Sequence, residues 1–273
     1  MNIDKKYYQE INENLTNTIQ DTNISAPNKK VGKVRDAYFL NDKVVMISTD
    51  RQSAFDRVLA AIPYKGAVLN SVSAWWFKKT EHLFPNHLIS TPDPNVSIVE
   101  KCTVFPVEFV VRGYITGTTD TSLWTVYNNG DREYCGNSLT EGLKKNDRLD
   151  KPMLTPTTKD KVHDRPVSRE EIIDLGLMSA EDYDLAAKMS LDLFAFGQET
   201  AKKNGLILVD TKYEIGTDSK GKIKFVDEIH TPDSSRFWIS SSYKDRINSG
   251  QEPENIDKEF LRLWFAKNCD PYN

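Results

Sequence analysis

Residues 206–238, LILVDTKYEIGTDSKGKIKFVDEIHTPDSSRFW, decide how the chain folds. Leu206 to Val209 is an apolar run that passes into Asp210-Thr211-Lys212-Tyr213-Glu214, and Lys222 to Val226 alternates before Asp227-Glu228. Asp218, Ser219, Lys220 and Gly221 lie between them, and two strand-like runs around such turn residues predict a β-hairpin. With Asp218 to Gly221 as the loop, Thr217 pairs with Lys222, Lys212 stands opposite Asp227, and Glu214 shares their face. Close carboxylates repel unless a cation separates them, and hard oxygen donors suit Mg²⁺, which takes one or two carboxylates together with phosphate oxygens. The hairpin therefore reads as a metal–phosphate platform; the alternative is an amphipathic hairpin with ordinary charged pairs on its wet face. The next residues, Ile229 to Arg236, carry more side-chain donors and acceptors than a turn requires. An anionic substrate beside the metal accounts for them.

Around this stretch, 273 residues with a formal net charge of −4 can bury a large core in one or two lobes. Lys and Arg are interspersed with Asp and Glu, so there is no basic stripe for nucleic acid, and the anions bound should be small. Cys102, Cys135 and Cys269 are odd in number and form no C-x-x-C, which argues against a disulfide framework and a structural zinc, and suits a reducing cytoplasm. No apolar run approaches the roughly 20 residues of a membrane span.

Upstream of the hairpin, Ser179 to Lys203 predicts a long amphipathic helix, and Ser168-Arg169-Glu170-Glu171 a helix start. Residues 128–165 lack periodicity and read as a long irregular region, in which His163 is either a general base or a surface histidine. Val104 to Val111 predicts a strand ending in Arg112-Gly113-Tyr114-Ile115-Thr116-Gly117-Thr118, where Arg112 and Thr118 are donors for a phosphate or carboxylate, or else part of a glycine turn. Residues 66–84 predict a helix whose Trp75, Trp76 and Phe77 belong to the core, and Pro253 to Ala266 a closing helix with Trp264 and Phe265 buried.

Residues 1–24 predict a polar helix. Lys29 to Tyr38 and Val44 to Ile47 predict two strands. In the first, Lys33 and Arg35 point to one face and Gly32 admits a phosphate to the backbone, a basic edge strand being the alternative. Neither a Walker P-loop nor a dinucleotide fingerprint is present. Ser48 to Asp56 reads as a polar ligand loop with Asp50, Arg51, Ser53 and Asp56 as candidates.

Six ordered blocks, GKVRDAY (32–38), STDRQSAFD (48–56), PVEFVVRGYITGT (106–118), TPTTKD (155–160), LVDTKYEIG (208–216) and DEIHTPDSSRFW (227–238), together resemble the SAICAR synthetase family of purine biosynthesis. The resemblance implies an α+β, two-lobed fold: a β-rich ATP lobe over residues 1–105, distantly similar to protein kinases and ATP-grasp enzymes, and a larger lobe over 106–273 with C-terminal helices. It implies an ATP- and Mg²⁺-dependent ligase, working in the cytoplasm and compatible with a homo-oligomer, that joins L-aspartate to the carboxylate of carboxyaminoimidazole ribonucleotide (CAIR). By position, Gly32, Lys33 and Arg35 meet the nucleotide phosphates. Val99, Glu100 and Cys102 lie near adenine, with Glu108 in the same linking strand. Lys212, Glu214 and Asp227 serve catalysis, the two acids also serving the metal. Arg112, Thr118 and Arg236 hold the ribonucleotide, Asp233 and Ser235 are further substrate contacts, and Ser53 and Asp56 line its pocket. A small-molecule kinase would share these cations and acids without needing an amine; a non-catalytic sensor would dispense with the metal acids.

Overall fold

The computed structural model describes residues 5–55, 57–159 and 165–268, so Asp56, His163 and Cys269 lie outside the described residues. These divide into two compact units, one running through Lys78 and including His87–Lys101, the other containing Lys79–Asn86 and the chain from Cys102 onward. Among the described residues no helix is long and apolar enough to cross a membrane.

The first unit is built from α1 (Lys5–Glu13), β1 (Lys29–Val31), β2 (Arg35–Phe39), β3 (Lys43–Ser48), β4 (Arg51–Ala54), β5 (Arg57–Ala61), α2 (Lys65–Thr80), β6 (Leu88–Asp93) and β7 (Val96–Glu100). Its antiparallel sheet has the order β1-β2-β3-β7-β6, and β4 and β5 form a separate hairpin. The predicted helix over 1–24 stops at Glu13, because Asn12, Asn14, Thr16, Asn17 and Thr18 favour local side-chain bonds over a helical backbone. The following segment is pinned by Asp50, whose backbone N–H donates to Ile19 O while its carboxylate accepts from Ile19 N.

The expected single strand over 29–38 is two strands about a tight turn, in which Gly32 N donates to Arg35 O at 2.7 Å. A Cβ on Gly32 would lie 2.9 Å from that carbonyl oxygen, so the turn requires glycine. Lys33 therefore sits at the turn, and the expectation that it shares a strand face with Arg35 does not hold. The expected polar loop at 48–56 is largely strand, with Asp50, Arg51 and Ser53 buried. On α2, Leu69, Trp76 and Phe77 are buried while Trp75 is half exposed, so the aromatic run is core on one side only.

The second unit continues with β8 (Thr103–Tyr114), α3 (Leu123–Asn128), β9 (Glu133–Tyr134), β10 (Asn137–Ser138), β11 (Arg148–Leu154), β12 (Thr157–Thr158), α4 (Arg169–Asp174), α5 (Ala180–Lys203), β13 (Leu206–Thr217), β14 (Ile223–Val226), β15 (Ser235–Ile239), α6 (Ser240–Asn248) and α7 (Glu259–Asn268). The sheet runs β11-β8-β13-β14, with β12 also on β8 and β15 also on β13. Residues 128–165 are thus less irregular than their composition implies: short strands from them pair with β8, a long-range contact that local periodicity does not report.

Alternation along β8 and β13 makes the sheet two-faced. Val107, Phe109, Val111, Thr211, Tyr213 and Ile215 are each 0–1% exposed. Against that face packs α5, whose buried Tyr183, Ala186, Met189, Ser190, Leu193, Phe194, Gly197 and Ala201 recur at helical spacing. Phe109 and Tyr183 meet with ring centroids 5.6 Å apart. Full burial of residues such as Leu193 and Phe194 stabilises by about 1.5–3 kcal/mol each. Ser179 caps α5, and the predicted start at Ser168 is a reciprocal capping box with Glu171. The face of β8 and β13 turned away from α5 carries the polar residues, so the α5 core fixes the backbone on which they stand.

Candidate active site

On β13, Asp210, Lys212 and Glu214 alternate with the buried Thr211 and Tyr213 and so share the polar face. Antiparallel pairing with β8 sets Asp210 opposite Arg112, Lys212 opposite Val110 and Glu214 opposite Glu108; β15 sets Arg236 opposite Asp210. A cavity of about 270 Å³ opens over this face, lined by Glu108, Arg112, Asp210, Lys212, Asp233, Ser235, Arg236, Asp257, Lys258 and Arg262 among others.

The two ends of the face differ. At one, Lys212 Nζ donates to Glu108 Oε1 at 2.6 Å and Glu214 Oε1 at 3.0 Å, and Lys159 pairs with the other oxygen of Glu214. Although burial disfavours its charge, Glu214, Glu108 and Asp227 together hold the Lys212 ammonium protonated far above its ordinary range. The same cations overcome burial at Glu214 and hold its carboxyl at about 2.

At the other end, Arg236 Nη1 donates to Asp210 Oδ2 at 2.6 Å and Nη2 to Glu259 Oε2 at 3.3 Å. Glu259 also accepts from Thr118 Oγ1 at 3.2 Å and Arg262 Nη1 at 3.1 Å. Arg236 Nε is buried without a hydrogen-bond partner. Arg112 is buried, donates from Nε to Thr155 Oγ1 at 2.8 Å, and has no carboxylate within ion-pair distance among the described residues. Burial pulls its pKa down while the charge of Asp210 opposes the shift. Asp257 accepts from the backbone N–H of Phe237 and Glu259, both at 2.7 Å, and burial raises its carboxyl to about 6.

The register of the hairpin departs from expectation by one residue. Asp218 Oδ1 accepts from the N–H groups of both Lys220 and Lys222, and Asp218 N donates to Lys222 O. Lys222 is thereby drawn into the turn, Thr217 pairs with Ile223, and Glu214 pairs with Val226. Lys212 is consequently not opposite Asp227 on a ladder. Asp227 leaves the strand in a left-handed conformation, φ +63°, and acts on Lys212 through its charge.

Of the residues singled out from sequence, Glu108, Arg112, Asp233, Ser235, Arg236 and Lys212 line the cavity; Glu214 is bonded to Lys212, and Thr118 to Glu259. Glu108, grouped by sequence with the adenine-side strand, binds the Lys212 ammonium. Gly32, Lys33, Arg35, Ser53, Val99 and Glu100 belong to the first unit. There the turn's carbonyls are tied from behind: Arg51 donates to Gly32 O at 3.0 Å and Lys33 O at 3.1 Å, and Thr49 Oγ1 to Val34 O at 2.8 Å. Cys102 stands at the start of the second unit, before β8.

Sequence reasoning missed Asp210, Lys159, Asp257, Lys258, Glu259 and Arg262. The period-2 pattern placed Asp210 on the face of Lys212 and was the available signal. Asp257 and Glu259 read as ordinary acids at a helix start. Trp264, expected in the core, is 56% exposed, since the inward face of α7 is the one bearing Glu259 and Arg262.

Residues 28–273 match the family model for SAICAR synthetase. The phosphoribosylaminoimidazole-succinocarboxamide synthase of Legionella pneumophila (strain Lens) is 59% identical over 254 residues, covering 93% of this chain and 81% of its own. The chloroplastic enzyme of that name from Arabidopsis thaliana is 58% identical over 267 residues, covering 96% and 65%. Among solved structures, the SAICAR synthase of Saccharomyces cerevisiae complexed with SAICAR is 33% identical with a TM-score of 0.78, covering 92% of this chain and 88% of the other. Matched along nearly its whole described length in sequence and in its mixed helix-and-sheet architecture, this chain belongs to the SAICAR synthetase family.

Proposed function

We propose that the polar face of β13 and β8 is where this chain carries out the reaction of its family, the ATP-dependent joining of L-aspartate to the carboxylate of CAIR in purine biosynthesis. The observation that carries the assignment is a lysine bound by two acids and reached by the charge of a third, with Arg112 of β8 and Arg236 of β15 flanking Asp210, the adjacent same-face position on β13. Successive same-face positions on a strand are roughly 7 Å apart, a separation that suits a substrate with a reacting carboxylate at one end and a phosphate at the other.

A carboxylate is a poor electrophile. Its oxygen attacks the γ-phosphorus of ATP, ADP leaves, and an acyl phosphate remains. The aspartate amine then attacks the acyl carbon, the carbon–oxygen bond to phosphate breaks, and the nitrogen loses a proton to give the amide. Phosphoryl transfer needs positioning and charge neutralisation more than a protein nucleophile. Lys212, kept protonated, is suited to stabilise charge and not to act as a base.

Glu214 and Asp227 would hold Mg²⁺, with phosphate oxygens and water completing its shell. The donor set fits: Glu108, Glu214 and Asp227 face Lys212 and Lys159, leaving acid in excess for a hard cation. When bound, Mg²⁺ supplies charge neutralisation at the phosphates. Arg112 and Arg236, with Thr118, Asp233 and Ser235 around them, would hold the ribonucleotide, and the donor at Arg236 Nε supports an anionic ligand there. The glycine turn at 32 with Lys33 and Arg35 would take nucleotide phosphates, Val99, Glu100 and Cys102 would adjoin adenine, and Ser53 and Asp56 would line the CAIR pocket. A reducing cytoplasm suits three widely spaced cysteines.

The test is ADP release from ATP, Mg²⁺ and CAIR, with and without L-aspartate, while the mass of the imidazole product is followed. A succinyl-amide product formed only with aspartate is expected. A stable phosphorylated product independent of aspartate would show a kinase instead.

A further inference from the structure

The segment Asp227–Ser234 joins the acid and lysine end of the site to the arginine end, and it begins and bends on strain. Asp227 at φ +63° and His230 at φ +52° are both left-handed non-glycine residues, a conformation histidine adopts only when its surroundings impose it. His230 is 1% exposed and lies under the sheet, away from the cavity. Its Nε2 shares a hydrogen bond with the hydroxyl of Tyr213, which stands between Lys212 and Glu214 and points to the α5 side. The two rings are 5.5 Å apart at 55°.

On the other side of the imidazole stands Gly197, well inside the 24-residue helix α5, where glycine weakens the helix. A Cβ at Gly197 would lie 2.5 Å from His230 Cε1, 2.8 Å from Leu208 Cδ2 and 3.0 Å from His230 Nδ1. The glycine admits the His230 ring, with the Leu208 side chain beside it. A helix notch, a ring filling it and a phenol on β13 thus form one stack, with the backbone of the segment attached to its middle. The far end returns to the same strand, where Lys212 N donates to Ser234 O at 3.2 Å.

We propose that His230 is a positioning residue for the phosphate-side acids: seated between Gly197 and Tyr213, it fixes the 227–234 segment to β13 so that Asp227 stays beside Lys212 and Glu214. The assignment rests on the Mg²⁺–phosphate role given to those acids above. His230 touches no substrate, and its contribution is the placement of a carboxylate, where an error of about 1 Å costs on the order of 100-fold in rate.

Two variants separate the ring from the backbone. His230→Asn removes the ring and keeps a residue that tolerates positive φ; Gly197→Ala keeps the ring and displaces it. For each, thermal melting reports folding, calorimetry reports CAIR binding, and binding of ADP is titrated against Mg²⁺, a readout independent of turnover. Both variants should raise the Mg²⁺ concentration that half-saturates ADP binding by about 5-fold or more and lower kcat by about 10-fold or more, with CAIR affinity within about 2-fold of the parent. The double variant should lose less than the two single losses combined, because the ring that meets the new methyl is gone and only Leu208 Cδ2 remains against it. Tyr213→Phe should shift the same midpoint in the same direction, by less. Asp227→Asn is the control. If it moves the Mg²⁺ midpoint while His230→Asn and Gly197→Ala leave it in place, the positioning role is overturned and the metal assignment stands. If Asp227→Asn leaves the midpoint in place, the metal assignment falls and the positioning role with it.

Discussion

The two ends of the polar face of β13 both set cations among acids and solve opposite problems. At the Lys212 end, acids outnumber ammonium groups, Lys212 is one-third exposed at its side chain, and the geometry leaves negative charge for a cation to complete. At the Arg236 end, the guanidinium groups of Arg112, Arg236 and Arg262 gather around Asp210, Glu259 and an Asp257 whose burial favours its neutral form. The planar, many-donor arginines suit a fixed anion, whereas a compact ammonium among carboxylates suits moving phosphoryl charge. Neighbouring strand positions can thus bind charge of opposite sign because each brings its own counter-ions.

The largest effect should come from breaking the first end. Lys212→Met leaves Glu108, Glu214 and Asp227 facing Lys159; ADP release should fall by about 1000-fold, and urea unfolding should show a loss of about 2 kcal/mol, discounted because the side chain is partly wet. Retained turnover would end the contrast. Next, Arg236→Ala leaves two buried acids without their shared partner. A stability loss of about 3 kcal/mol is expected, with a rise in the KM for CAIR of about 10- to 100-fold that exceeds the fall in kcat. Steady-state kinetics showing the reverse split would move Arg236 to the reacting centre.

The ends should also answer to pH in opposite senses. Asp257 has its folded pKa raised to about 6 from 3.8, so in that window the folded state holds the proton more tightly than the unfolded chain and stability falls as pH rises, by about 2–3 kcal/mol in all. Glu214, lowered to about 2 from 4.5, contributes stability that is present above 4.5 and lost as pH falls toward 2. Urea melts of Asp257→Asn and Glu214→Gln against the parent at several pH values read each slope separately; slopes of the same sign would erase the distinction. The smallest effect should be Thr118→Ala, which removes a 3.2 Å bond to Glu259 and should cost about 0.5–1 kcal/mol in the same melts.

Much of this was legible from residue order. Alternation along 206–217 predicted a strand with Lys212 and Glu214 on one side, Ser179 announced α5, and six spaced blocks pointed to the family. The parts that went unread share a cause. Asp218 drew Lys222 into the turn and shifted the hairpin by one residue, a choice made by side-chain bonds to two N–H groups that turn composition does not rank. The strands within 128–165, the wet face of Trp264 and the contacts of Glu259 all depend on partners far away along the chain.

By itself the sequence determined which residues are chemically able to act, and that Lys212 and Glu214 share one face of β13, because side-chain type and a period of two are local properties. Tertiary structure alone decided which charges meet. Glu108 reaches Lys212 across β8, Glu259 reaches Arg236 from α7, and His230 finds its notch at Gly197, since each of these encounters is set by packing between elements and not by spacing within one.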